Sequence, residues 1–271
     1  MTVLTRSASA SVKSKLPDGV ALKEIDYSNH ESIVNALRGQ QAVVSNVGYQ
    51  IMGEQPKLID AAIEAGVELF LPSEFGANVA NPRTAALPVF GAKTATRKYI
   101  QTKAAEGKID YTSIVNGNFL DWDTKVGLSV NPHGITLLVN GGDVPMAVTT
   151  LEYVGVAVAG VLKDPTRYKN RVVYVANASV TQNQLLAAIK NANPAFEAKV
   201  EHISGDELEK QSYQSLQNGG DVMIAMINLI RRATGDLDFG MNYEPVDNEH
   251  LGIKRFSPEE VDQVIARVVA N

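Results

Sequence analysis

Through its first 115 residues this chain repeats one pattern: a short apolar strand, then a helix-length amphipathic segment, then another strand. Thr2–Thr5, Val20–Ile25, Gln41–Asn46, Val67–Leu71 and Tyr111–Val115 read as strands, rich in β-branched and aliphatic residues. Between them Glu31–Leu37 reads as a helix capped by Ser28 or Asn29. Gln55–Ala65 carries Leu58, Ile59, Ala62 and Ile63 at helical spacing and ends at Gly66, and a third helix carries Lys93 near its start and runs to about Glu106. Helices of this length between strands are crossovers, and crossovers of one hand produce parallel neighbours. The expectation is an α/β fold: a Rossmann-like parallel sheet with helices on both faces.

After Asn116 the alternation loosens. Ile135–Val139, Val172–Val175 and Val200–Ile203 read as strands, and Leu151–Leu162, Gln182–Ile189 and Asp221–Ala233 as helices. Ser257-Pro258-Glu259-Glu260 predicts a helix start, with proline at the first helical position and glutamate at the third. The division predicted is a dinucleotide-binding domain over residues 1–130 and a smaller α+β substrate lobe over 131–271, with some interleaving of the sheets. Met223, Ile224, Ile227 and Ile230 form an apolar stripe, read as core or as a pocket wall, and Arg231-Arg232 complement the dipole at that helix's end.

Composition narrows the chemistry. The chain has 271 residues and a net charge of −5 without any basic block, so nucleic-acid binding through phosphate neutralisation has little support. It has no cysteine, which excludes disulfides, thiolate catalysis and cysteine-ligated metals. His30, His133, His202 and His250 lie far apart, and no metal site is expected. No apolar run is long enough to span a membrane. Before Asp18 the chain holds Arg6, Lys13 and Lys15 among four serines and no acidic residue. That composition suits an organellar transit peptide, but the β-branched Thr2–Thr5 run suits a strand, and a cytoplasmic location is the expectation.

A dinucleotide-binding sheet ordinarily opens with a strand, a glycine-rich turn and a helix whose N-terminus holds the pyrophosphate. Neither G-x-G-x-x-G nor G-x-x-G-x-x-G occurs in this chain. Thr2–Thr5 and Arg6-Ser7 look instead like the second strand of such a sheet and its turn. Three readings compete: a gene model that begins at an internal methionine, a variant in which the flanking strands pair directly, or a wrong strand assignment. Without the first strand, strands two and four lose their shared neighbour and expose backbone groups and apolar faces.

In an open parallel sheet, ligands bind beyond the carboxyl ends of the strands. Pro72-Ser73-Glu74-Phe75-Gly76 follows one such strand directly, and Lys93 stands on the next helix. The segment Leu71–Gly76, followed by Phe90-x-x-Lys93-x-x-x-Arg97-x-x-Ile100 and the Tyr111-Thr112 strand, resembles the NmrA-like and isoflavone-reductase-like group of atypical short-chain dehydrogenases. The resemblance covers essentially the whole chain. It implies NADPH as hydride donor, a small aromatic, quinone-like or enone-like acceptor, and a catalytic role for Lys93 beside the nicotinamide. The missing glycine turn departs from the family pattern and puts cofactor affinity in doubt. Some NmrA-like proteins bind dinucleotide without turnover and regulate a protein partner, so a sensor or an inactive relative is the alternative. A homodimer is a further possible assembly.

The remaining candidates follow from position. Arg6 stands in the turn where cofactor type is read, and a guanidinium can grip a 2′-phosphate bidentately; Lys15 lies nearby. Asp26 and Tyr27 end the next strand, beside the expected adenine. Val47 and Gly48 follow Asn46, where backbone would pass the nicotinamide ribose and a glycine permits close approach. Pro72, Ser73 and Phe75 are expected to shape the cleft, and Glu74 to orient Lys93 or cap a helix. Asn116, Asn118 and Phe119 follow the Tyr111–Val115 strand and are assigned to substrate. Tyr99-x-x-x-Lys103 mimics the catalytic pair of classical short-chain dehydrogenases, but roughly 0.4 such matches arise by chance. Tyr99 also lies six positions after Lys93, about 240° round the same helix, so the two cannot face one nicotinamide.

Overall fold

A computed structural model describes all residues except Ala8, His133 and Asn271, with only the backbone of Ala10. His133 therefore lies outside the described residues. In chain order the elements are β1 (Thr2–Thr5), α1 (Ala10–Lys13), β2 (Ala21–Glu24), α2 (His30–Leu37), β3 (Ala42–Val44), α3 (Gln55–Glu64), β4 (Leu69–Leu71), α4 (Pro82–Ala86), α5 (Gly91–Ala105) and β5 (Asp110–Val115). They continue with β6 (Asn118–Phe119), α6 (Leu120–Val126), β7 (Ile135–Val139), β8 (Met146–Thr149), α7 (Leu151–Lys163), α8 (Pro165–Tyr168) and β9 (Arg171–Tyr174). The last are β10 (Ala178–Val180), α9 (Gln182–Ala192), β11 (Lys199–Ile203), α10 (Gly205–Gln217), α11 (Val222–Thr234), α12 (Asn248–Leu251) and α13 (Pro258–Val269). Two compact units result, Met1–Ser73 with Ala95–Thr112, and Glu74–Thr94 with Ser113–Asn271.

The first unit has the expected parallel strands. β1 pairs with β2, Thr2 opposite Ala21, and β3 pairs with β4, Ala42 opposite Leu69. β4 pairs in turn with the start of β5, Leu69 opposite Asp110. Asn29 is the cap of α2, its side chain accepting from the Ser32 amide. Ile33, Val34 and Leu37 of α2, Leu58, Ile59 and Ala62 of α3, Phe70 of β4, and Ile100 of α5 form one buried cluster, with Leu4 and Val43 packed against it. Direct pairing of the two strands that flank the expected central one is not observed. Among the described residues β1 pairs only with β2, and β3 only with β4. Both strands are half-buried, whereas β4, with a neighbour on each edge, is buried at every position.

The second unit holds the end of β5, beside β9, where the Val175 amide donates to the Val115 carbonyl. It also holds a three-stranded sheet of order β10–β8–β6 and the parallel pair β11–β7. Met146, Val148, Ala178 and Val180 pack beneath Leu185, Leu186 and Ile189 of α9 and Val261, Val264 and Ile265 of α13. Both helices start with full capping boxes, Thr181 with Gln184 and Ser257 with Glu260. A separate cluster joins Ala77, Leu87, Val89 and Phe90 to Leu229 and Ala233 of α11 and to Phe239 and Met241. Among the described residues no helix is long and apolar enough to cross a membrane.

Two expectations about helices change. The polar helix α10 has no counterpart in the sequence reading, because only Gly205, Leu208 and Ser212 of it are buried and no apolar stripe announces it. The apolar stripe of α11 is not simply core. Met223 is 59% and Ile224 57% exposed, while Ile227 and Ile230 are half-buried.

Candidate active site

Lys93 sits in the first turn of α5, in the part of that helix belonging to the second unit. The turn is delivered by Pro88–Phe90, whose Val89 and Phe90 are buried against the α11 cluster. The ammonium donates to the backbone carbonyl of Glu74. Burial pushes the Lys93 pKa down to about 8, and the negative charge of Glu74 opposes that fall. A lysine so placed is poised to hold or give up a proton near neutral pH, which an ordinary solvated lysine is not.

Glycines floor this site. Gly76 has φ +145°, a backbone conformation that favours glycine, and a Cβ there would lie 3.6 Å from Lys93 Nζ. Its carbonyl accepts from the Gly117 amide at 3.1 Å. Gly117, two residues past the end of β5, has φ +64°, and a Cβ there would stand 2.0 Å from the Ala147 carbonyl oxygen. Gly76 and the turn after β5 are thus joined through glycine backbone.

Glu74 is buried, with 1% exposure, and its Oε1 accepts from Ser113 Oγ of β5 at 3.0 Å. Ser113 was not singled out from the sequence. The signal was present, since a serine inside the strand run Tyr111–Val115 needs a polar partner once buried. Phe75 is half-buried. Pro72 and Ser73 precede this site in sequence but belong to the first unit. There Ser73 donates its hydroxyl to the Val47 carbonyl at 3.0 Å, and its amide donates to Gln55 Oε1 at 2.7 Å. Gln55 was also missed; it is fully buried at the start of α3 and holds this loop cluster together.

Of the residues assigned to substrate, Asn116 is fully buried, and its Nδ2 donates to the Gly117 carbonyl at 3.1 Å while its Oδ1 has no partner. Asn118 is also buried. Its Nδ2 donates to Asp123 Oδ2 at 2.8 Å and to Ser129 Oγ at 3.0 Å, so its amide nitrogen is occupied inside the second unit. Phe119 is half-buried. Burial raises the Asp123 pKa, against the hydrogen bonds from Ser129 and Asn118 that lower it.

The first unit brings Arg6, Asp26 and Tyr27 together. With Glu24 and Ile25 they line one cleft of about 480 Å³. Asp26 is fixed by the amide and hydroxyl of Ser28, which hold its carboxyl below the usual range. Lys15 is exposed and does not line this cleft. Gly48 has φ −73° and ψ 167°, which any residue adopts, and a Cβ there would meet nothing within 4 Å. The protein itself therefore does not require glycine at this position, and the space beside it is open to a ligand. Tyr99 turns elsewhere, donating to Asp60 Oδ1 at 2.5 Å with Lys103 over its ring. Among the described residues no group of histidines and carboxylates is arranged to hold a metal.

The sequence profile of the NmrA-like family matches residues 1–201. An oxidoreductase of Aspergillus flavus, aprR, is 30% identical over 278 residues, covering 99% of this chain and 90% of its own. The phenylcoumaran benzylic ether reductase TP7 of Nicotiana tabacum is 32% identical over 190 residues, covering 65% and 60% of the two chains. A leucoanthocyanidin reductase–NADPH complex from Vitis vinifera superposes with a TM-score of 0.74 at 17% identity, covering 100% of this chain and 90% of that one. The chain belongs to the NmrA-like family. Within it, this is an oxidoreductase with a Rossmann-like α/β fold.

Proposed function

We propose that this oxidoreductase is an NADPH-dependent reductase acting on a small aromatic, quinone-like or enone-like acceptor, with Lys93 as the proton-handling group. The observation that carries the reading is the desolvated Lys93 ammonium, held on the Glu74 carbonyl with its pKa near 8. The names of the Nicotiana and Vitis relatives, a benzylic ether reductase and a reductase bound to NADPH, support the acceptor and cofactor classes.

The reduced nicotinamide supplies a hydride when bound. The 2′-phosphate on the cofactor's adenosine ribose would be held at the Arg6 cleft, where a guanidinium stands next to the Asp26-Tyr27 turn, and the open space at Gly48 suits a closely approaching ligand. Cofactor binding is assigned to residues 1–130 and acceptor binding to 131–271. Below its pKa, Lys93 carries a proton that it can deliver to an acceptor oxygen or carbon as negative charge develops there. The glycine at 76 keeps a side chain away from that ammonium.

The test uses the full chain. NADPH oxidation is followed against a panel of quinones and enones, with parallel NADPH and NADH binding. Lys93→Met is expected to lower kcat on the order of 10²–10⁴-fold. Arg6→Ala is expected to weaken NADPH roughly thirty-fold and NADH little. Gly48→Ala is expected to weaken NADPH without loss of stability. Tight NADPH binding with no turnover across the panel would replace the reductase by a dinucleotide sensor acting on a protein partner. Turnover indifferent to Lys93→Met would remove the lysine from the reaction.

A further inference from the structure

We propose that Glu74 and Ser113 are positioning residues for Lys93: the Ser113–Glu74 hydrogen bond holds Glu74 in place, and the backbone carbonyl and side-chain charge of that residue orient the ammonium and govern its hold on the proton. The proposal rests on Lys93 being the proton-handling group and names what governs it.

Three links carry the argument, all within the second unit. Ser113 Oγ, inside the buried strand β5, donates to Glu74 Oε1 at 3.0 Å. Glu74 turns its backbone carbonyl to Lys93 Nζ. Its carboxylate is anchored on β5 while its backbone receives the lysine. A carboxylate buried to 1% exposure is costly unless hydrogen-bonded, and Ser113 supplies one such bond.

Gly76 presents only backbone to the ammonium, Lys93 Nζ lying 3.6 Å from where a Cβ there would stand. The charge of the Glu74 carboxylate acts on the ammonium, against the desolvation that lowers the lysine's pKa. A purely structural pair would preserve the local fold but leave the lysine's titration unaffected by the carboxylate's charge. The arrangement here couples the two, because charge and carbonyl belong to one residue.

The experiment is a pH titration of ε-¹³C-labelled lysines by NMR on the full chain, with Lys93→Met identifying the Lys93 signal. In the wild type the Lys93 midpoint is expected near 8. Glu74→Gln keeps shape and an acceptor for Ser113 but removes the charge, and is expected to lower that midpoint by roughly one pH unit. Glu74→Asp, which restores the charge, should bring the midpoint back toward the wild type. Ser113→Ala, a small change within β5, should broaden or shift the Lys93 signal by removing the hydroxyl that anchors the carboxylate. A Lys93 midpoint unchanged in both Glu74→Gln and Ser113→Ala overturns the proposal. The alkaline limb of kcat in the reductase assay is then compared. If the limb follows the NMR midpoint in each variant, positioning and catalysis are joined. If the NMR midpoint moves while turnover ignores pH, the positioning stands and the assignment of Lys93 to the reaction fails.

Discussion

Replacing Lys93 by methionine should abolish proton delivery and yet stabilise the protein at neutral pH. A pKa of about 8 against the ordinary 10.5 corresponds to about 3 kcal/mol borne by the protonated form in the folded state. Methionine removes that cost but also removes the hydrogen bond to the Glu74 carbonyl, worth about 1–1.5 kcal/mol. The expected net gain near pH 7 is about 2 kcal/mol. The sign reverses with pH. Between about 8 and 10.5 the unfolded chain binds more protons at this lysine than the folded one, so wild-type stability rises with pH and the penalty disappears. Above that window the methionine variant should be no more stable than wild type, or slightly less. Urea unfolding followed by the fluorescence of Trp122, the one tryptophan and a residue of the same unit, reads this difference directly. Taking the variant minus the wild type at each pH cancels the other groups that titrate. A variant less stable than wild type at pH 7, or a difference that stays constant from pH 7 to 10.5, would refute a desolvated ammonium at this position.

Gly117→Ala should destabilise the second unit by about 3 kcal/mol or more, since its Cβ would lie 2.0 Å from a backbone carbonyl that cannot simply rotate away; a urea midpoint within error of wild type would contradict the geometry. Arg232→Ala should cost about 3–5 kcal/mol, because Arg232, at 1% exposure, bonds Glu209 and Asp236 and stacks on Phe239, and its loss leaves those carboxylates without their cation. The same substitution at the half-buried Arg231, which bonds the Leu128 and Gly127 carbonyls, should cost less, and equal losses at the two positions would argue against an ion cluster as the source.

Much of the first half was legible because its signals are local. Strand β1, helix α2 with its Asn29 cap and helix α3 follow from apolar periodicity and capping chemistry, which act within a few residues. Lys93 could be singled out from its spacing after Pro72–Gly76 and from family resemblance. Ser113 and Gln55 could not be assigned partners, because those partners lie 39 and 18 positions away in sequence. Nor could the Asn118 amide's tie to Asp123 and Ser129 be seen, since asparagine in a loop after a strand suits substrate and turn equally well.

The order of the residues, with its strand and helix periods and its punctuation by glycine and proline, was enough to set the α/β class and the neighbourhood of Lys93. What that lysine experiences was decided only when the chain packed. Desolvation, the carbonyl it meets and the anchoring of Glu74 on β5 arise from groups distant in sequence, and electric fields and burial depend on distance in space rather than along the chain.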